Sequence, residues 1–422
     1  MNVLFAASEC APFIKTGGLG DYIGALPKAL QKLGVKVSVV LPKFGDLPYW
    51  YKEQMKFITS IEVPVGWRMQ YCGIEKYVRE GISYYFLDNE YYFKRHGSYG
   101  FFDDGERFAF FSRAVLEAIP YLEDQPDIIH CHDWQTGPIP VLLKAHFKKH
   151  PAYSEIKTIF TIHNLRYQGV YPKSVLWELL DLSELYFHMD ALEFHGQVSY
   201  MKAGLAFADY LTTVSPAYAK EIQSPYYGEH LDGFLRKRSE NLLGIINGID
   251  TEAYDPGTDP EIYTPYFDYE GKVKNKIQLQ QALKLSVDRE VPLIAMVTRL
   301  VEQKGIDLVL HVFREMMNLR VQFVILGTGE DYYENAFRAL AEEFSEQVSA
   351  HIYFDEGLAR KIYAGADLFL MPSQFEPCGI GQLLALRYGT LPVVRETGGL
   401  KDTIVPYDEL LERGYAFSFT NY

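Results

Sequence analysis

The chain alternates short apolar runs with amphipathic stretches at helical spacing, and the alternation continues almost from end to end. Val3-Leu4-Phe5-Ala6-Ala7 reads as a first buried strand, after which Leu26, Ala29, Leu30 and Leu33 recur with helical steps. Val37-Ser38-Val39-Val40-Leu41-Pro42 predicts a second strand, giving a parallel unit with a right-handed crossover. Over residues 57–87 the pattern becomes alternating and turn-rich, as an antiparallel excursion would be. Apolar runs return at Asp127-Ile128-Ile129-His130-Cys131-His132-Asp133, at Thr158-Ile159-Phe160-Thr161-Ile162-His163-Asn164, and at Leu211-Thr212-Thr213-Val214. Ile245-Ile246-Asn247-Gly248-Ile249-Asp250 predicts one more strand and turn, and the interdomain hinge is expected there, before a connector rich in Pro and Gly over 255–271. The strand–helix pattern then restarts at Leu293-Ile294-Ala295-Met296-Val297 and continues through 321–327 and 368–371. The predicted fold class is α/β, with two doubly wound, Rossmann-like domains at 1–243 and 244–422.

Composition narrows the functional classes. A 422-residue chain is long enough for two or three domains with their own cores. A net charge of -14 argues against a nucleic-acid partner, because a phosphate backbone needs a basic face. Cys10, Cys72, Cys131 and Cys378 lie far apart without metal-like spacing, so a reduced, cytoplasmic setting is expected. The chain opens directly on a strand with no basic-then-apolar leader, and no apolar run reaches the ~20 residues of a membrane helix. The 32 Tyr and 27 Phe are an unusual number; many must be core, and sugar rings can also stack on aromatic faces.

Four places carry candidate chemistry. In Met371-Pro372-Ser373-Gln374-Phe375-Glu376-Pro377-Cys378-Gly379-Ile380-Gly381-Gln382 a strand stops at proline and a helix follows a turn. Free N–H groups at that helix start suit an anion, and Glu376 stands beside them; a capping carboxylate is the plainer alternative. Lys15-Thr16-Gly17-Gly18-Leu19-Gly20-Asp21 is a glycine-rich strand-to-helix turn with a cation, yet it is neither G-x-G-x-x-G nor Walker A. Two strands end in histidine plus a polar residue, His132-Asp133 and His163-Asn164, at the sheet edge where open α/β folds bind ligands. Each histidine singly also fits a hydrogen-bonded core position. His130 and His132 come without a third ligand at a zinc-like spacing, so no metal is expected. Arg299 and Lys304 follow the first strand of the second domain, where two cations would stabilise a diphosphate leaving group. Asp-x-Asp, the usual metal-holding alternative, is absent.

The two glycine-bearing turns together resemble the glycogen and bacterial starch synthases, and the resemblance spans nearly the whole chain. It implies the two-domain GT-B architecture, its domains facing each other across a cleft, and retaining transfer of glucose from ADP-glucose to an α-1,4-glucan. No cofactor and no membrane are implied. By the same resemblance Lys15, Gly17, Gly18, Asp21, Arg299, Lys304 and the Cys378-Gly379-Ile380-Gly381 turn would hold the donor. Glu376, Asn247 and Asn164 would meet the donor glucose, His163 and Asp133 would flank the anomeric carbon, and Phe354 would stack on adenine. Retaining hydrolases place two carboxylates about 5 Å apart. No such pair is legible here, so a reaction guided by the donor's own phosphate is expected.

The sequence departs from that pattern in three places. Leu384 stands where related families carry a second Glu, Gly381 stands where many relatives have Ser or Thr, and the chain ends at Tyr422. Relatives run on into helices that return to the first domain; either this sequence is truncated, or the protein lacks the return helix and impaired closure is expected. Two alternatives follow: a UDP-glucose transferase of the same fold, or a catalytically weak glucan-binding protein. A nicotinamide dehydrogenase is disfavoured, since its fingerprint glycines and ribose-binding acid are absent.

Overall fold

In the computed structural model, which describes Met1–Tyr422, the strands form three sheets and the chain divides into two units. Unit 1 comprises residues 1–214 and 219–245; unit 2 comprises 215–218 and 246–422.

Unit 1 is built on β1 (Asn2–Ala6), β2 (Lys36–Pro42), β3 (Lys56–Val65), β4 (Arg68–Arg79), β5 (Ile82–Asp88), β6 (Ile128–His132) and β7 (Lys157–Ile162). Three short strands, β8 (Val170–Tyr171), β9 (Glu193–Phe194) and β10 (Gln197–Ser199), form a separate antiparallel patch. β11 (Tyr210–Thr213) and β12 (Leu242–Gly244) complete the main sheet, whose order is β12-β11-β7-β6-β1-β2-β5-β4-β3. The β3–β5 region is the expected antiparallel excursion; β5 also pairs in parallel with β2, so the excursion extends the main sheet. β12 ends at Gly244, ahead of the strand predicted over 245–250, where the chain carries no regular element. The reason is hydrogen bonding: Leu242–Gly244 pairs with Leu211–Thr213, leaving the Asn247-Gly248 turn outside the ladder.

Unit 2 is an all-parallel sheet of β13 (Leu293–Val297), β14 (Gln322–Leu326), β15 (Val348–His351), β16 (Leu368–Met371), β17 (Leu391–Arg395) and β18 (Phe417–Phe419), in the order β15-β14-β13-β16-β17-β18. Alternation splits its strands between two cores. Leu293, Ala295, Val324 and Leu326 pack with Tyr363 and Phe369 on one face, whereas Met296, Phe323 and Ile325 pack with Phe313 and Phe337 on the other. Both faces are therefore covered by helices, and chemistry is left to the loops at the strand ends. No helix is long and apolar enough to cross a membrane.

Candidate functional site

In unit 1 the candidate residues collect where β1, β6 and β7 end. Neighbouring register sets His132 of β6 opposite Thr161 of β7, so Asp133 and His163 leave adjacent strand ends. Asp133 holds φ 56° and ψ -178°, a backbone conformation that ordinary residues avoid. The strain places its Oδ1 where it accepts the N–H groups of His163 (2.7 Å) and Asn164 (3.3 Å). Burial pushes the Asp133 carboxyl up to about 7, against those two donors and with a smaller push from the Glu9 charge.

His163 stands edge-on to Tyr22, with ring centroids 4.9 Å apart, and its Nε2 lies 3.1 Å from His132 Nδ1. His132 is fully buried, and its Nε2 has no hydrogen-bond partner. A buried N–H is satisfied more stringently than a lone pair, which assigns the shared proton to His132 Nδ1 and leaves the proton of His163 on its own Nδ1. Burial holds His130 and His163 down to about 3, and His132 well below the usual range, so all three rings are neutral near pH 7. His130 is a core histidine: its Nε2 meets Thr161 Oγ1 at 2.6 Å.

The Lys15–Asp21 turn is organised by a residue that sequence reasoning missed. The buried Glu9 carboxylate accepts Thr16 N–H (2.5 Å), Gly17 N–H (3.2 Å), Thr16 Oγ1–H (2.6 Å) and Tyr99 O–H (2.8 Å). The N–H of Gly17 is thus engaged within the protein, and this glycine shapes the turn instead of offering a donor. Gly18 opens the helix Gly18–Lys32, and the first N–H groups of a helix have no intrahelical acceptor. Lys15 Nζ pairs with Asp21 at 2.6 Å. Glu9 had left a sequence signal: a lone acid within Ala6-Ala7-Ser8-Glu9-Cys10-Ala11, six residues before Lys15.

A cavity of about 380 Å³ lies in the same unit, lined by Trp134, Gln168, Gly169, Phe194, Glu229 and His230 among others. Gly169 lies flat on the indole, since a Cβ there would approach Trp134 Cε3 to 2.3 Å. Glu229 and His230 both take positive φ, 48° and 64°. Gln168 gives its Nε2–H to the Glu229 carbonyl, and its buried Oε1 has no partner. None of these residues stands in a recognisable sequence motif, and only the fold gathers them.

In unit 2, Pro372 ends β16 as expected, and the loop behind it carries Glu376. Glu376 is buried, and its Oε2 accepts from Lys304 Nζ at 2.5 Å and Ser373 Oγ at 3.1 Å. The carboxylate and one predicted cation thus form a pair. The backbone is pinned on several sides: Gln374 N–H donates to Gln303 O, Arg395 Nη1 to Gln374 O, and Gly399 N–H to Glu376 O. A Cβ on Gly398 (φ 45°) would reach Glu376 O at 2.0 Å, which explains glycine there. Gly379 takes φ 74°, and Gln382 Nε2–H donates to the carbonyls of Cys378 and Gly379, fixing the turn before the helix Gly381–Arg387.

Asn247 donates its backbone N–H to Cys378, whose thiol burial pushes up to about 12. The Asn247 side chain is buried with its Oδ1 unpartnered, an unsatisfied group that a ligand hydroxyl would fill. Phe354, 70% exposed just beyond β15, leaves its ring open for stacking. Arg299 lies exposed two residues past β13. Ile380 caps the helix that Gly381 begins, and an added Cβ at Gly381 would sit 3.0 Å from Phe369.

The profile of the starch synthase catalytic domain matches residues 2–237, and that of group 1 glycosyl transferases matches residues 280–422. The chain belongs to the glycogen and starch synthase family of glycosyltransferases. Among glycogen synthases it is 55% identical to that of Alkaliphilus metalliredigens, over all of this chain and 89% of the relative. It is 54% identical to that of Geobacillus stearothermophilus, over all of this chain and 87% of the relative. The catalytic domain of starch synthase IV from Arabidopsis thaliana, solved bound to ADP and acarbose, superposes with a TM-score of 0.92. That match is 34% identical and covers 100% of this chain and 88% of the other. Sucrose-phosphate synthase from Thermosynechococcus elongatus shares the fold, at TM-score 0.59, 15% identity, and 99% and 86% coverage. These neighbours give the synthase family its GT-B fold class, in accord with the two doubly wound units described above.

Proposed function

We propose that the protein transfers glucose from ADP-glucose to the non-reducing end of an α-1,4-glucan, with retention at C1 and without a metal ion. The observation that carries this reading is the pair between the partly buried Lys304 and the buried Glu376, held by Ser373 beside the turn into the helix Gly381–Arg387. A cation and a carboxylate in contact can serve adjoining parts of one nucleotide sugar, its phosphates and its sugar hydroxyls. The starch synthase solved with ADP and acarbose supports an adenosine donor and a glucan-like acceptor.

In this reading Arg299 and Lys304, with Lys15 and the amides of Gly18 and Gly381, stabilise charge on the departing diphosphate as the C1–O bond breaks. Glu376 and Asn247 hold the glucose hydroxyls, and Phe354 stacks on the adenine. His163 and Asn164 face the reacting sugar, with the neutral imidazole donating through Nδ1. The leaving phosphate oxygen takes the proton of the acceptor O4 as that oxygen bonds to C1 from the same face. Asp133 holds the ends of β6 and β7 in register for this step. The Trp134 and Gln168 cavity receives the acceptor, being lined by aromatic rings and by one Arg and one Glu, a balance suited to a neutral glucan. The buried free thiols fit work in a reducing cytoplasm.

Incorporation of glucose into maltohexaose with EDTA present, followed by NMR of the new linkage, tests the reading. It predicts an undiminished rate and an α-1,4 product. Loss of turnover on chelation, or a β linkage, would overturn the metal-free, retaining mechanism.

A further inference from the structure

The glycine turn at Lys15–Gly18 is shaped from behind by Glu9. Both oxygens of this buried carboxylate are engaged, Oε2 by two backbone N–H groups and Oε1 by two hydroxyls. Locally the Gly17 carbonyl accepts from the Gly20 N–H at 3.1 Å, but Gly17 precedes the helix in extended backbone, a Cβ on it would meet open space, and the Thr16 and Gly17 N–H groups are held by Glu9. One of the four donors, Tyr99, comes from a distant loop, and its hydroxyl is also shared with Ser8 Oγ at 2.8 Å. That loop is itself anchored. The fully buried Arg107 donates to Ser98 O and Tyr92 O, pairs with Asp104, and stands 4.6 Å from the Phe101 ring. A chain of contacts therefore runs from Arg107 through the aromatic loop to Tyr99, Glu9 and the turn.

We propose that Glu9 is a positioning residue for donor binding: by holding the Thr16–Gly17 backbone against the Tyr99 loop it sets Lys15 and the Gly18 amide where they meet the donor diphosphate. The inference rests on the nucleotide-sugar reading above. Glu9 does not touch the donor. Its two N–H donors cannot reverse, whereas its two hydroxyl donors can rotate to accept. A glutamine at position 9 can therefore keep Oε1 on the backbone and turn its amide toward the hydroxyls, preserving the turn. An alanine leaves both N–H groups without an acceptor.

The test is calorimetric titration of ADP into the wild-type chain and into Glu9→Ala, Glu9→Gln, Lys15→Ala and the Glu9→Ala/Lys15→Ala double variant, each checked for native melting. The expected result is an ADP Kd raised about tenfold in Glu9→Ala, within about threefold of wild type in Glu9→Gln, and raised in the double variant by less than the product of the two single losses, because part of the Glu9 effect passes through Lys15 and the rest through the Gly18 amide. Wild-type affinity in folded Glu9→Ala, failure of Glu9→Gln to rescue, or additive losses in the double variant would each overturn the proposal. Should Glu9→Ala not fold, Thr16→Val removes one of the four donors and keeps the backbone; an unchanged Kd there overturns the proposal, and a raised one supports it. A wild-type chain that binds no ADP would contradict the nucleotide-sugar reading itself, whereas tight wild-type binding with indifferent Glu9 variants would contradict this inference alone.

Discussion

Asp133 concentrates the residue-scale argument. Its carboxyl is pushed up to about 7 by burial, and its backbone sits in a region that costs about 1–3 kcal/mol. The folded state therefore holds this proton more tightly than the unfolded chain, and the stability so contributed is present at low pH and lost as pH rises from about 4 toward 7. Asp133→Asn keeps an acceptor for the His163 and Asn164 N–H groups but removes the titration. Relative to wild type, its melting temperature is expected to be higher at pH 8 than at pH 5. Equal differences at the two pH values would show that Asp133 does not carry the shift. Glu376 gives a second prediction. Glu376→Ala leaves the partly buried Lys304 cation without its carboxylate, a loss smaller than the ~3–5 kcal/mol of a fully buried pair. Turnover should vanish and the apparent melting temperature fall, as read by glucose incorporation and calorimetry. Retained turnover would remove Glu376 from the site.

Loops between elements decide what the sequence could disclose. Buried strands such as Leu293–Val297 and Leu368–Met371 were legible because both faces of a parallel strand are apolar, which leaves an unbroken run. The proline after β16 was legible because it cannot donate to a ladder, and His132 and His163 at the ends of β6 and β7 as polar residues closing an apolar run. The strand predicted over 245–250 fell at Leu242–Gly244, because a three-residue edge strand is defined by its partner and not by its own pattern. Glu9 was illegible as a clamp, since three of its donors lie seven or eight residues away and the fourth ninety. The Gln168 cavity is likewise a product of tertiary folding. Gly398 makes the loop argument testable: Gly398→Ala would drive a methyl into the Glu376 carbonyl at 2.0 Å. The variant is expected to lose most of its activity while unit 1 keeps its affinity for maltohexaose, and full activity would show that the loop can shift freely.

At the scale of the whole molecule, the buried His130 and His132 and the partly buried His163 set the acid limit. His130 and His163 fall to about 3, and His132 falls well below its ordinary range, so the unfolded chain binds more protons than the folded one below about pH 6.5. Their contribution to stability is complete above that pH and declines as pH falls toward 3. Asp133 works in the opposite sense, so acid unfolding should proceed with a net uptake approaching two protons from these four groups. Denaturant titrations from pH 6.5 to pH 4.5 would read this as stability falling with pH, and a stability independent of pH would contradict the neutral assignment. The first unit holds the neutral imidazole, the Lys15 turn and the Trp134 cavity, and the second holds the Lys304–Glu376 pair and an exposed aromatic ring. The most direct measurement is glucose incorporation into glycogen with ADP-glucose and UDP-glucose compared side by side. The account predicts clear incorporation from ADP-glucose in preference to UDP-glucose; no incorporation from ADP-glucose, or preference for UDP-glucose, would contradict it.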